Sequence, residues 1–104
     1  MTVNGIVVPD EQIAEFCKRW NVTKLELFGS VLRQDFQPGS DIDVLATFSP
    51  RAKRTLLDEA QMEMDLEAML NRAVHLVSRT AVENSHNPIR RRHILESAVT
   101  IYGE

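Results

Sequence analysis

The chain has 104 residues, room for one compact domain but not for two. Apolar residues make up 43% and charged residues 26%, a globular composition rather than a disordered one. Twelve basic and fifteen acidic side chains leave a net charge of −3, evenly spread, which supplies no electrostatic drive toward nucleic acid or a membrane surface.

Met1-Thr2-Val3-Asn4 lacks the basic start of a secretory signal, and no apolar run is long enough for a membrane span, so a reducing cytoplasmic setting is expected. Ile13, Phe16, Cys17 and Trp20 recur at i, i+3, i+4 and i+7, one face of an amphipathic helix. Pro9 is expected at the first helical position, with Asp10 and Glu11 in the first turn and Lys18 and Arg19 in the last, where each charge complements the helix dipole. Cys17 is the sole cysteine, which excludes an internal disulfide and a multi-cysteine zinc site; on the apolar stripe it reads as a small buried hydrophobe. Residues 22–28 form a β-rich run ending at Gly29-Ser30, and residues 31–37 have the length of two helical turns before the breaker Pro38-Gly39. Residues 41–48 read as a second strand, closed by Ser49-Pro50. A long helix is expected over residues 52–71 and a buried strand over residues 74–77. Asn87 is the cap of a last helix that has Pro88 at its first position and Ile94, Leu95 and Ala98 on its apolar side, and Ile101-Tyr102 follows. This alternation indicates a single α/β (α+β) domain over residues 1–104: a small mixed sheet of three to four strands flanked by three to four helices.

Two groups stand out together, Gly29-Ser30 and, ten residues on, Asp41-Ile42-Asp43. A strand that ends in Gly-Ser and runs into a helical stretch aims unpaired backbone N–H groups at whatever lies above the turn, and such amides favour an anion. Gly29 permits close backbone approach, and Ser30 adds a hydroxyl for a phosphate oxygen. Asp41 and Asp43 lie two apart in the expected strand, so their carboxylates share a face while Ile42 turns into the packing. Adjacent carboxylates repel each other. A hard divalent cation such as Mg2+ relieves that repulsion, with substrate phosphates completing its shell. A two-ion arrangement would activate an attacking hydroxyl on one side and neutralise a leaving pyrophosphate on the other. Phosphoryl-group transfer rests mainly on positioning and charge, which a small protein can supply.

Leu27-Phe28-Gly29-Ser30-Val31-Leu32-Arg33, followed by Ser40-Asp41-Ile42-Asp43-Val44-Leu45, resembles the signature of the minimal nucleotidyltransferases of the DNA polymerase-β-like superfamily. The likeness continues through Val74-His75-Leu76-Val77 and from Ile94-Leu95 to Tyr102. It implies the nucleotidyltransferase fold, with nucleotide phosphates on Gly29 and Ser30, and Mg2+ or Mn2+ on the catalytic pair Asp41 and Asp43. Arg33, three residues after the serine, matches a family arginine that makes a phosphate or structural contact. Small stand-alone members are similar to antitoxins paired with a HEPN-domain ribonuclease toxin. The resemblance therefore implies AMP transfer from ATP to a tyrosine of such a toxin, in a hetero-oligomer with it; from the net charge and the short apolar runs, no membrane or stable nucleic-acid partner is expected.

One position departs from the family pattern. The later strand usually carries a third carboxylate, and His75 stands there. An imidazole can act as a base near neutral pH, but it suits Mn2+, Zn2+ or Fe2+ better than Mg2+. His75 is thus a candidate catalytic residue with weakened or altered transfer expected, and a binding-only antitoxin is the alternative. Transfer to a small molecule or RNA is disfavoured, because acceptor recognition needs structure that 104 residues do not spare.

Three further features read more plainly. Asp58, Glu59, Glu63, Asp65 and Glu67 form an acidic stretch expected to be a solvated face. The same helix carries two apolar stripes, Met62-Leu66-Met69-Leu70 and Leu57-Ala60-Met64-Ala68, where a surface helix needs one; the second suggests a kink or a partner contact. Arg90-Arg91-Arg92-His93 opens the last helix at the end its dipole disfavours, and is expected to be solvated or to meet phosphates or an acidic partner.

Overall fold

In the computed structural model, which describes residues 1–37 and 39–103, Asn4-Gly5 turns a tight hairpin between β1 (Thr2–Val3) and β2 (Ile6–Val7). Both turn residues have positive φ, +48° and +83°, as the turn that suits strand twist requires, and Asn-Gly is the dipeptide that adopts it most readily. The hairpin lies outside the expected elements: its two-residue strands are too short to show alternation, and the Asn-Gly pair is its only sequence signal.

Helix α1 (Asp10–Trp20) buries Ile13, Phe16 and Cys17, as its periodicity predicts. Pro9 is its extended N-cap, one position before the helix rather than first within it, and its carbonyl accepts from Ile13 N–H at 2.9 Å. Strand β3 (Val22–Phe28) runs into a single 3-10 turn over Gly29–Leu32, where two α-turns over residues 31–37 were expected. The reason lies outside the segment. Asn4 Nδ2 donates to the carbonyls of Val31 and Arg33, both at 2.9 Å, taking acceptors that a continuing helix would use. Of the expected breaker, Pro38 lies outside the described residues.

Strand β4 (Ile42–Phe48) starts one residue after Asp41, so only Asp43 of the pair is within a strand. Helix α2 (Leu56–Leu70) begins four residues later than expected, because Thr55 and Asp58 form a capping box: the Thr55 hydroxyl accepts from Asp58 N–H at 3.2 Å and the Asp58 carboxylate from Thr55 N–H at 2.9 Å. Strand β5 (Val74–Ser78) leads directly into a short helix α3 (Arg79–Glu83), also unexpected, capped by Ser78. Asn87 caps α4 (Pro88–Ser97) through Arg90 N–H at 3.1 Å, with Pro88 at the first position, as expected, and β6 (Val99–Tyr102) follows.

Four strands form one mixed sheet in the order β5-β4-β3-β6: β3 pairs antiparallel with β4 and β6, and β4 pairs parallel with β5. Helices cover both faces. On one side α1, α2 and the hairpin bury Leu25, Leu27, Ile42, Val44 and Ala46; on the other, α3 and α4 pack Val82 and Ile94 over Phe28 and Leu45. Central β3 is therefore buried on both faces from Leu25 to Phe28, which explains its unbroken run of enclosed residues. One of them is charged: Glu26, at 3% exposure, meets Arg79 Nη1 at 2.8 Å. None of the described helices is long and apolar enough to cross a membrane.

The acidic stretch of α2 is not merely a solvated face. Glu67 accepts from the Val74 amide at 3.0 Å and Glu63 from the Leu76 amide at 2.8 Å. These amides belong to the sheet's edge strand, and the α2 carboxylates close that edge. Of the two apolar stripes, Met62, Leu66 and Leu70 are buried, whereas Leu57, Ala60, Met64 and Ala68 face outward.

Candidate active site

The site forms where β3 ends and β4 begins. Antiparallel register sets Phe28 opposite Asp43, and parallel register sets His75 opposite Asp43, so β3, β4 and β5 present one row of side chains at this end of the sheet. Gly29 follows with φ +76°, and a Cβ there would collide with Oδ2 of Asp43. Glycine suits both demands: the backbone is left-handed, and any side chain would have to push the Asp43 carboxylate aside. Ser30 Oγ lies 3.4 Å from the carbonyl of Asp41, fastening the turn to the start of β4. Arg72 secures the intervening loop, donating to the carbonyls of Gln37 and Ser40 at 2.6 and 3.0 Å while its guanidinium stacks on Phe36.

Gly29, Ser30, Arg33 and Asp43 line one open cleft of about 340 Å3, together with Arg90 and His93 from α4. Arg33 lies at the rim, solvent-exposed, 3.9 Å from Asp35. His75 stands beside Asp43, with Nδ1 3.6 Å from Oδ1, and its ring is largely exposed. Asp41 is exposed at the strand's first edge, and its charge reaches Asp43. Of the expected residues, four thus share the cleft, while Asp41 and His75 flank Asp43 outside its lining.

Asp43 is the electrostatic centre. Its carboxyl is pushed above the ordinary range, chiefly by burial and further by Asp41, while His75 and Arg90 pull the other way. A cation beside these carboxylates would relieve both burdens. Among the described residues no three His, Cys, Asp or Glu side chains converge as a metal-binding group. Were an ion held here, the two carboxylates would suit one that keeps most of its shell for substrate phosphates and water, as Mg2+ does.

Residues 10–101 match the family model described as the nucleotidyltransferase domain. The chain belongs to that family. A candidate protein adenylyltransferase of Methanocaldococcus jannaschii is 29% identical over 101 residues, covering 97% of this chain and 99% of the relative. A solved structure of a candidate minimal nucleotidyltransferase is 32% identical, with a TM-score of 0.65 and 86% of both chains covered. A chain from the complex of the tri-AMPylated Shewanella oneidensis HEPN toxin with its MNT antitoxin matches at a TM-score of 0.58, covering 91% of this chain and 70% of that one; at 14% identity this is a likeness of fold.

In this nucleotidyltransferase several contributors to the site escape motif reading. Arg90 and His93 enter the cleft from α4, some fifty residues from Asp43 in sequence, and only the packing of α4 on Phe28 and Leu45 brings them there. Within the run of four basic residues, nothing in sequence distinguishes these two from Arg91 and Arg92. Asn4 holds the far end of the Gly29–Leu32 turn through the two carbonyls described above. Its Asn-Gly dipeptide signals a hairpin but not what that hairpin supports.

Proposed function

We propose that this nucleotidyltransferase transfers AMP from ATP to a hydroxyl of a partner protein, a tyrosine of a HEPN-domain ribonuclease toxin, and neutralises it in the cytoplasm. The observation that carries the reading is the shared cleft, in which the Asp43 carboxylate lies against the Gly29 backbone beside Ser30, Arg33 and Arg90. Phosphate oxygens seated on the turn would lie directly beside the carboxylates. The names of the relatives, a protein adenylyltransferase and an antitoxin bound to an AMPylated toxin, support the acceptor class.

In this reading Gly29 and Ser30 bind the phosphates, and Arg33 and Arg90 offset their charge. Asp41 and Asp43 would hold Mg2+ or Mn2+, which when bound supplies the positive charge that the transferred phosphoryl group and departing pyrophosphate require. The acceptor oxygen bonds to the α-phosphorus, the bond to pyrophosphate breaks, and the acceptor's proton passes to His75. Nδ1 of that imidazole faces Asp43 Oδ1 at 3.6 Å, and the exposed ring would take the proton at Nε2.

The test is incubation with labelled ATP, Mg2+ and a HEPN-domain protein from the same genome. Label is expected on the partner with the wild type and not with Asp43→Asn. Full neutralisation by Asp43→Asn, with no label in either reaction, would overturn transfer in favour of binding alone.

A further inference from the structure

Helix α2 carries a second apolar face, opposite the one that Met62, Leu66 and Leu70 bury. Leu57 is 83% exposed and Met64 61%, and Ala60 and Ala68 are exposed beside them. At 3.6 residues per turn, Leu57 and Met64 lie within about 20° of each other around the helix, with Ala60 and Ala68 about 40° to either side. The four form one stripe about 16 Å long. Long side chains alternating with alanines suit a second helix: the long ones interlock with it, and the alanines let the two backbones approach.

The charges beside the stripe decide which helix. Asp58 and Asp65 flank it on one side and Glu63 and Glu67 on the other, and residues 56–70 contain no Lys or Arg. All four carboxylates are held by neutral donors: Asp58 by the Thr55 amide at 2.9 Å, Asp65 by Gln61 Nε2 at 2.8 Å, and Glu63 and Glu67 by amides of β5. Among the described residues, Glu59 is the one acid of the helix that meets a cation, Arg54 at 3.1 Å. Four uncompensated like charges therefore border an apolar stripe. A second copy of α2 laid on it would set acid against acid whichever way it ran. A helix with Lys or Arg flanking its own apolar face would set base against acid along both sides. The stripe continues past Ala68 into a groove of about 330 Å3 between α1 and α2. Phe16, Ala68 and Met69 line this groove, with two acids, Glu15 and Asp65, against one base, Arg19. It has space for one large apolar side chain.

We propose that the outer face of α2 docks a basic amphipathic helix of a partner protein. Apolar side chains of that helix lie on Leu57, Ala60 and Met64, one anchors in the groove beyond Ala68, and its Lys or Arg residues meet the four flanking carboxylates. Helix α2 packs on the face of the sheet opposite α3 and α4, whereas Arg90 and His93 of the cleft belong to α4. The partner is thus held away from the reacting atoms, and the docking does not depend on transfer being the reaction.

The probe is a synthetic helical peptide of about 21 residues, three heptads with Leu at both core positions and Lys at the flanking ones, compared with the same peptide carrying Glu at the flanks. Each is titrated into the full chain and followed by methyl resonances. The Lys peptide is expected to bind, to shift Leu57 and Met64 while leaving Ile94 in place, and to weaken about tenfold between roughly 0.05 and 0.5 M salt. Replacing Leu57 and Met64 together by Gln is expected to weaken it about tenfold with the melting temperature unchanged, and Asp43→Asn to bind it as the wild type does. Equal affinity for the Lys and Glu peptides, undiminished binding by the double variant, or no binding at millimolar peptide overturns the proposal. Weakened binding by Asp43→Asn would move the peptide to the cleft and overturn it as well. Self-association of the chain in sedimentation, abolished by the double variant, would assign the face to a second copy instead.

Discussion

At Gly29 a single missing carbon joins the two halves of the site. Its φ of +76° disfavours any side chain, and a Cβ there would have to displace the Asp43 carboxylate. Gly29→Ala is expected to cost about 1–3 kcal/mol in denaturant unfolding, as a strained left-handed residue does, and to displace the Asp43 carboxylate, reducing transfer more than stability alone explains. An unchanged unfolding midpoint would show that the turn has another accessible geometry. Asp43 itself is destabilising where it is placed. Its pKa is raised in the folded protein, so its favourable contribution is complete below the unfolded-state value and is lost as pH rises through the folded-state value. At neutral pH the ionised form is a burden on folding. Asp43→Asn should therefore lose transfer by at least about a hundredfold while melting no lower than the wild type near pH 7. Its advantage should shrink on acidification, when the wild-type carboxyl takes up its proton. A melting temperature well below wild type at pH 7 would contradict the burial argument.

Among the elements, the edge strand β5 shows how a helix can complete a sheet. Parallel pairing occupies one side of β5, and the amides of Val74 and Leu76 on its other side are taken by Glu67 and Glu63 of α2. The two carboxylates lie four residues apart, one helical turn, and the two amides lie two apart, so successive turns meet successive outward amides. Glu63→Ala and Glu67→Ala are each expected to destabilise by about 1–2 kcal/mol in urea unfolding, because each leaves a partly buried amide without its acceptor. The double variant should also self-associate as the edge becomes available for pairing, which sedimentation would detect. Single-variant losses under a few tenths of a kcal/mol would show that water replaces the carboxylates. A sequence reading sees five acids on a helix and assigns them to solvent. It cannot do otherwise, since the amides that need them lie on another element. The truncated turn after β3 has the same cause: Asn4, far away in sequence, claims carbonyls that local propensity would give to a helix.

For the whole molecule, two helical layers around one sheet leave both a cleft and an uncovered apolar surface. Leu57 is 83% exposed and Met64 61%, and both face away from the core that Met62, Leu66 and Leu70 build. Replacing both with glutamine is expected to leave unfolding free energy within about 0.5 kcal/mol of wild type, since neither packs within the chain. A loss above about 1 kcal/mol would mean that this stripe is covered in solution. The core beneath is closed, and its one thiol is shut away: burial raises Cys17 to about 12, so it contributes packing rather than chemistry.

Much of the fold and half of the site are determined by local sequence. The apolar spacing of α1, the Asn87-Pro88 start of α4, the strand ending at Gly29 and the pair Asp41 and Asp43 are all legible because each depends on residues within one or two turns of one another. The tertiary structure alone decided that Arg90 and His93 enter the cleft, that Glu63 and Glu67 close a sheet edge, that Asn4 braces the Gly29–Leu32 turn, and that a second cavity opens beside Phe28. Each of these joins groups distant in sequence, and a polar side chain takes its role from the unpaired partner it meets. That partner becomes known only when helices and strands are packed together.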